Sequence, residues 1–276
     1  MSRTRETGVA ILAHDLSVGH ASGHGASDRA VDGASFTLPH GAALAIMGPT
    51  GSGKSTLAAA MTGTAPIAPV LGGEAFVLDL PLRRLRRGQR RALTFHVGYL
   101  TQTAGGELPA TMTVGEIIGE PLTSRDRRVN PRALALRVAT LLDEMQLALG
   151  TTSKFPYELS AGMRQRVAVA RSLILRPRLF VGDEPLAGLD VEVRSAVIEA
   201  LARLGRGGRD GAAPGAELHE HAAAIGTGIR VHRLDAGHGG DGFLHRPHQV
   251  AFHFLGGRAG VRQLHEEERR GRLRLR

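Results

Sequence analysis

The chain has no cysteine, and only two of its 35 basic residues, Lys54 and Lys154, are lysines. The missing thiols exclude disulfides, thiolate zinc sites and cysteine-ligated clusters, which fits a cytoplasmic protein. No apolar run approaches the roughly 18 residues of a spanning helix. The opening MSRTRETGVAILAHDL starts basic, but its apolar part is short and turns polar at once. It predicts a first strand rather than a signal peptide. No internal repeat is evident. What the chain does have is 276 residues at 42% hydrophobic content, enough for one large globular domain or two small ones. Its net charge of +9 is almost all arginine. The charge reads as a compositional bias. Its local concentration, RRLRRGQRR at 83–91, reads as a solvated face rather than a dedicated nucleic-acid or membrane site.

Alternation over 9–19 predicts a strand, and 19–28 is a loop. SFTL (35–38) and ALAIM (43–47) read as strands, the second of the continuous apolar, buried type. Residues 54–62 are helix-like, with Gly63 as C-cap. Residues 95–100 read as a short strand. Thr113 with Glu116 forms a capping box ahead of Ile117 and Ile118. Asn130 and Pro131 start a helix with Leu134, Val138, Leu141, Leu142 and Met145 on one face. Ser160 caps another, with Met163, Val167, Ala170 and Ile174 on one stripe. LFV (179–181) is a strand ending in Asp183 and Glu184, and 191–204 reads as a helix. This order predicts an α/β core with a small helical subdomain.

Two stretches carry chemistry. GPTGSGKS at 48–55 matches the full phosphate-loop pattern G-x-x-x-x-G-K-[ST], with a buried strand before it and a helix after it. Its glycines let backbone N–H groups turn inward around phosphate oxygens. Lys54 brings a charge to the outer phosphates and Ser55 a hydroxyl to Mg²⁺. The candidate nucleotide-binding residues are Gly48, Pro49, Thr50, Gly51, Ser52, Gly53, Lys54, Ser55 and Thr56. In VGDEP, an apolar strand delivers Asp183 to the Mg²⁺ shell and Glu184 to orient or deprotonate an attacking water. The N-terminus of the helix at Ser160 also suits an anion.

Over roughly residues 9–205 the chain resembles the nucleotide-binding subunit of ABC transporters, a P-loop NTPase core with a helical subdomain. LSAGMRQR (159–166) matches the signature LSGGQ-x-QR, Gln102 stands at the Q-loop position after FHVGYL, and Leu189 and Asp190 match the D-loop. FPYELSAGMRQRVAVARSL, TVGEIIGEPL and DEPLAGLDVEV look most like the oligopeptide, dipeptide and nickel importer branch. The resemblance implies ATP and Mg²⁺ as ligands. It also implies a head-to-tail pair of nucleotide-binding subunits, a homo- or heterodimer, at the cytoplasmic face of the cell membrane. Each ATP would lie between one subunit's Lys54 and its partner's signature. Ser160, Gly162 and Asp190 would thus join the nucleotide site, and Gln102 would join both the metal shell and catalysis with Glu184. Metal contacts would come from Ser55, Gln102 and Asp183. Implied partners are permease subunits and an extracytoplasmic solute-binding protein, with no nucleic acid. The resemblance divides the chain into a nucleotide-binding domain at 1–205, with a helical subdomain at about 104–171, and an atypical tail at 206–276.

Some positions depart from the family. Ala161 replaces a signature glycine, which is harmless only at negative φ. Met163 replaces a glutamine. His20 stands where an aromatic usually stacks on adenine, and it reads equally as a plain loop histidine. Past Leu204 the family has a further apolar strand ending in a histidine, and GAAPGAEL supplies none. His219 is near the right distance but in the wrong setting. Eight of the 13 histidines fall after Arg206, and AFHFL is the best strand candidate there. An irregular tail is expected, disordered or not, whether a natural divergent end, a degraded one or one read through a shifted frame. The expected function is ATP hydrolysis that powers import of peptides or similar small solutes. The alternative is a module of the same fold with weak turnover. A DNA-acting ATPase is disfavoured, because the interval between phosphate loop and signature is short and carries no cysteine.

Overall fold

Residues 9–19 bury alternate side chains and form the strand β1 (Val9–Gly19). It pairs antiparallel with β2 (Arg29–Pro39) on one side and β4 (Val70–Val77) on the other. β5 (Leu80–Pro81) completes a four-stranded sheet in the order β2-β1-β4-β5. A second sheet runs β6 (Val97–Leu100), β7 (Leu179–Asp183), β9 (His248–Phe254), β3 (Ala43–Gly48), β8 (Arg230–Arg233). The computed structural model describes residues 8–19, 29–40, 42–63, 68–186, 194–195, 197–199, 201, 230–233 and 248–254.

Helix α1 (Lys54–Met61) lies against both sheets. Its Leu57, Ala58 and Met61 are buried with Ile11, Leu16 and Leu38 of the antiparallel sheet and Ile46 and Val181 of the other. Met61 is its last helical residue and Thr62 the cap; Gly63 takes φ 69, the left-handed turn that ends the helix. A second core gathers α3 (Val114–Thr123), α4 (Pro131–Glu144) and α5 (Ala161–Leu173) around Leu100 and Phe180. The expected caps are in place. Thr113 and Glu116 bond reciprocally, and Asn130 accepts from the Arg132 and Ala133 amides. Val167, Ala170 and Ile174 are fully buried on the expected stripe, and Met163 is partly buried beside them. Among the described residues, no helix is long and apolar enough to cross a membrane.

Four segments differ from the sequence reading. VLGGEAFV forms β4 although two glycines interrupt its apolar pattern. The arginine run continues into a helix, α2 (Arg87–His96), that buries Leu93 alone. Phe95 and His96 therefore close a helix, and the strand starts at Val97. In the tail, RVHR forms β8, parallel to β3, and AFHF lies within β9. β9 fills the centre of the sheet between β7 and β3, antiparallel to both. The sheet is thus not short of a strand. β8 sits at the edge, where backbone pairing on one side suffices, so a single apolar residue in four gave no pattern to read.

Candidate functional site

β3, β6 and β7 end their carboxyl termini at one edge of the second sheet, which is where α/β sheets bind ligands. β6 and β7 are parallel neighbours, with Tyr99 opposite Val181 and Leu100 opposite Gly182. Across β9, Val250 is level with both Asp183 and Ile46, so β3 runs two residues past the level at which β7 ends.

The phosphate loop leaves β3 at buried Gly48, with Pro49, Thr50 and Gly51 exposed. Gly51 and Gly53 adopt φ of 80 and 84. At Gly53 a Cβ would run into the Ala30 carbonyl and the Val31 side chain, so only glycine fits where the loop enters α1. That helix start has no side-chain cap and no acidic residue in its first turn. Lys54 is only 5% exposed. Its Nζ donates to the carbonyls of Gly48 (3.0 Å) and Pro49 (2.6 Å) and to Ser52 Oγ (3.1 Å). Burial pulls its pKa down, while the nearby Asp183 and Glu184 carboxylates pull it up. Ser55 is exposed at the helix start and Thr56 half-buried.

Asp183 is buried at the end of β7. Burial, then the Asp183 charge, pushes the Tyr99 phenol up to about 12. Glu184 follows at φ 51, in the left-handed region. A non-glycine residue held there is strained by about 1–3 kcal/mol, a reserve found most often at functional positions. Gly182 permits the turn: a Cβ on it would stand 2.8 Å from Pro185 and 2.9 Å from the Phe180 ring. Lys54 thus lies within electrostatic reach of both Asp183 and Glu184. Gln102 is exposed, two residues past the end of β6 on the same edge.

Ser160 is the exposed N-cap of α5, and its Oγ accepts from the Met163 amide at 3.3 Å. Ala161 is the first helical residue and lacks a positive φ, so alanine in place of glycine puts no strain on the backbone. Gly162 follows, half-buried. His20, His219, Leu189 and Asp190 lie outside the described residues. Two contacts escaped the sequence reading. Tyr99 stands beside Asp183, and Gly105 packs so closely on Gln165 that a Cβ would come within 2.7 Å of its Oε1. Neither residue type signals such a role by itself.

A polyphosphate and Mg²⁺ fit these residues. The uncapped start of α1 offers donors beside a buried ammonium, which suits an anion. Among the described residues, no three His, Cys, Asp or Glu side chains form a metal cage. Asp183 and the Ser55 hydroxyl are hard ligands of the kind Mg²⁺ takes when phosphate oxygens and water fill the rest of its shell.

The ABC transporter family matches residues 31–187. The oligopeptide transport ATP-binding protein OppF of Escherichia coli (strain K12) is 33% identical over 178 residues, covering 64% of this chain and 52% of that protein. The peptidoglycan transport ATP-binding protein YejF of Agrobacterium fabrum is 34% identical over 180 residues, covering 63% and 31%. The chain therefore spans about half or less of the length of these relatives. In fold it is similar to the dimeric, post-hydrolysis structure of the ATP-binding cassette MJ0796 bound to ADP and Pi. The TM-score is 0.63 at 23% identity, covering 71% of this chain and 82% of that one.

Proposed function

The chain belongs to the ABC transporter family, and from that premise we propose that it binds ATP with Mg²⁺, hydrolyses it, and powers import of peptides or similar small solutes. The observation that carries the reading is Lys54, buried in a glycine loop and in electrostatic reach of Asp183 and Glu184. The relatives named for oligopeptide and peptidoglycan transport support the solute class.

In this reading Lys54 exchanges its loop carbonyls for phosphate oxygens, and the first-turn amides of α1 hold the same group. Gly48, Pro49, Thr50, Gly51, Ser52 and Gly53 shape the cradle, and Thr56 extends it. Ser55, Asp183 and Gln102 hold Mg²⁺, which supplies charge neutralisation at the phosphates when bound. Glu184 orients the water and takes its proton. Ser160 and Gly162 present a second anion site to the ATP of a partner subunit, with Asp190 beside the shared interface and His20 against the base. The assembly would comprise two nucleotide-binding subunits, permease subunits and a solute-binding protein, with this chain peripheral on the cytoplasmic face. The nucleotide-binding domain would run over 1–205, its helical part over about 104–171, with 206–276 as a tail.

Calorimetric titration with ATP and Mg²⁺, followed by single-turnover hydrolysis, tests the reading. Binding followed by hydrolysis supports it, and absence of ATP binding overturns it. A second reading, a module that binds ATP with weak turnover, is favoured by β9. This strand, between β7 and β3, runs antiparallel to both, and its first residue His248 pairs with Gly48. A catalytic edge built from parallel strands has an intruder at its centre. Tight binding with negligible single-turnover hydrolysis would favour that reading over the first.

A further inference from the structure

The arginine run reads in sequence as a solvated face, and the fold bears out its exposure. Arg83, Arg84, Arg86, Arg87, Arg90 and Arg91 are all exposed, and the chain has no Asp or Glu between Asp79 and Glu107. Arg87, Arg90 and Arg91 share one face of α2, at spacings of three and four. Arg125 stands at the end of this helix: it donates to the Thr94 carbonyl of α2 at 3.4 Å, and the nearby Glu120 carboxylate offsets its repulsion by Arg91. Next to the run lies an apolar strip. Leu12 pairs with Phe76 across β1 and β4, and Phe76 pairs with Pro81 of β5. Leu12 and Phe76 are 44% and 36% exposed, on the face turned away from the core. Phe76 and Pro81 line a hollow of about 350 Å³ together with Arg83, Arg84 and Glu74.

We propose that the strip around Phe76 and the arginines from Arg83 to Arg91 form a docking surface for anionic phospholipid headgroups. The chemistry selects that partner. Six guanidiniums match a layer of phosphates in charge, and the apolar floor suits the glycerol and upper acyl region below them. A single-stranded nucleic acid would call for several stacking aromatics, and Phe76 is the one aromatic lining the hollow. Glu74 is the one opposing charge lining the hollow, and it leaves the patch strongly positive. The proposal does not depend on ATP chemistry. It gives the chain a direct hold on a membrane besides any through a partner protein.

The test mixes the purified full chain with phosphatidylcholine vesicles, with and without phosphatidylglycerol, and measures co-sedimentation. Binding should need phosphatidylglycerol and fall steeply with added salt. Each arginine removed should weaken it about five-fold, so the combined variant Arg83→Gln, Arg84→Gln, Arg87→Gln, Arg91→Gln should lose on the order of several hundred-fold. The corresponding Lys variant should keep binding, and Phe76→Ser should show a smaller loss. ATP affinity should stay the same in all of them, which separates this proposal from the one about Lys54. Three results would each overturn it: equal binding to neutral vesicles, salt-insensitive binding, or full binding by the four-Gln variant with a native melting curve. If that variant does not fold, the salt series and the neutral vesicles still decide. Displacement of the chain from vesicles by polyuridylate at a lower phosphate concentration would make the patch a nucleic-acid surface instead.

Discussion

Helix α1 begins at a glycine in the left-handed region, without a side-chain cap, and its Lys54 is buried among three oxygens of its own loop. Helix α5 begins at an exposed serine whose hydroxyl caps its own third residue. The arginines of its first turns point back to backbone: Arg164 to the Leu159 carbonyl, Arg166 to those of Met145, Gln146 and Gly162. One helix start is enclosed and has the Asp183 and Glu184 charges beside it. The other faces outward, with the Arg164 guanidinium tied to the carbonyl just before its cap. In the proposed function this difference divides the work. The first binds nucleotide within one chain. The second is finished only when another chain brings a phosphate to it.

The largest effect is expected at Glu184. Glu184→Gln keeps the shape of the side chain but removes the base, so turnover should fall by about 10²–10⁴ while ATP binding is retained. Single-turnover hydrolysis reads the first and calorimetry the second. Equal hydrolysis by wild type and variant would remove Glu184 from the mechanism. Lys54→Ala comes next. It deletes a charged hydrogen-bond donor worth roughly 1.5–3 kcal/mol, which is about ten-fold or more in ATP affinity. Unchanged affinity would make the loop at 48–55 a turn and nothing more.

Ser160→Arg addresses the outward helix start alone. Placed in the Glu184→Gln background, where hydrolysis cannot disperse an ATP-bound pair, it should weaken ATP-dependent dimerisation by at least about ten-fold, because a bulky side chain would fill the space a partner's phosphate needs. Affinity of the single chain for ATP should stay within about two-fold, since Lys54 is untouched. Light scattering with ATP and Mg²⁺ measures the first. If Glu184→Gln is monomeric under those conditions, the shared site is wrong however Ser160→Arg behaves.

The enclosed half of the comparison was the more legible in sequence. A phosphate loop constrains nearly every residue by backbone shape or charge, so β3, Gly51, Gly53, Lys54 and the start of α1 could be read directly, and an apolar run ending in Asp183 and Glu184 marked β7. The caps at Thr113, Asn130 and Ser160 were legible for a similar reason: a short polar side chain has to satisfy amides at a helix start. What stayed hidden depends on contacts made across the sheet. Gly72 and Gly73 look like a turn inside β4, yet β1 pairs on through them with a register shift. Helix α2 buries only Leu93, so its arginines concealed it. β8 takes its position from backbone pairing with β3, which leaves little trace in residue type; AFHFL marked β9 as a strand but not its place between β7 and β3.

The smallest effect is expected at Ala161. The family has glycine here, and the sequence alone left open whether the position needs one. Its φ is not positive, and it is the first helical residue of α5, a setting in which alanine is favoured. Ala161→Gly should therefore restore the family signature without a gain. It should lower stability by about 0.5 kcal/mol at most, and ATP-dependent dimerisation in the Glu184→Gln background should move by less than about two-fold. The contrasting substitution is Gly53→Ala at the enclosed helix start, where a Cβ meets the Ala30 carbonyl and φ is 84. That change should weaken ATP binding and lower the melting temperature together. If instead Ala161→Gly strengthened dimerisation several-fold, α5 would have to open its first turn when a partner docks. Glycine would then matter for the paired state rather than for the helix seen here.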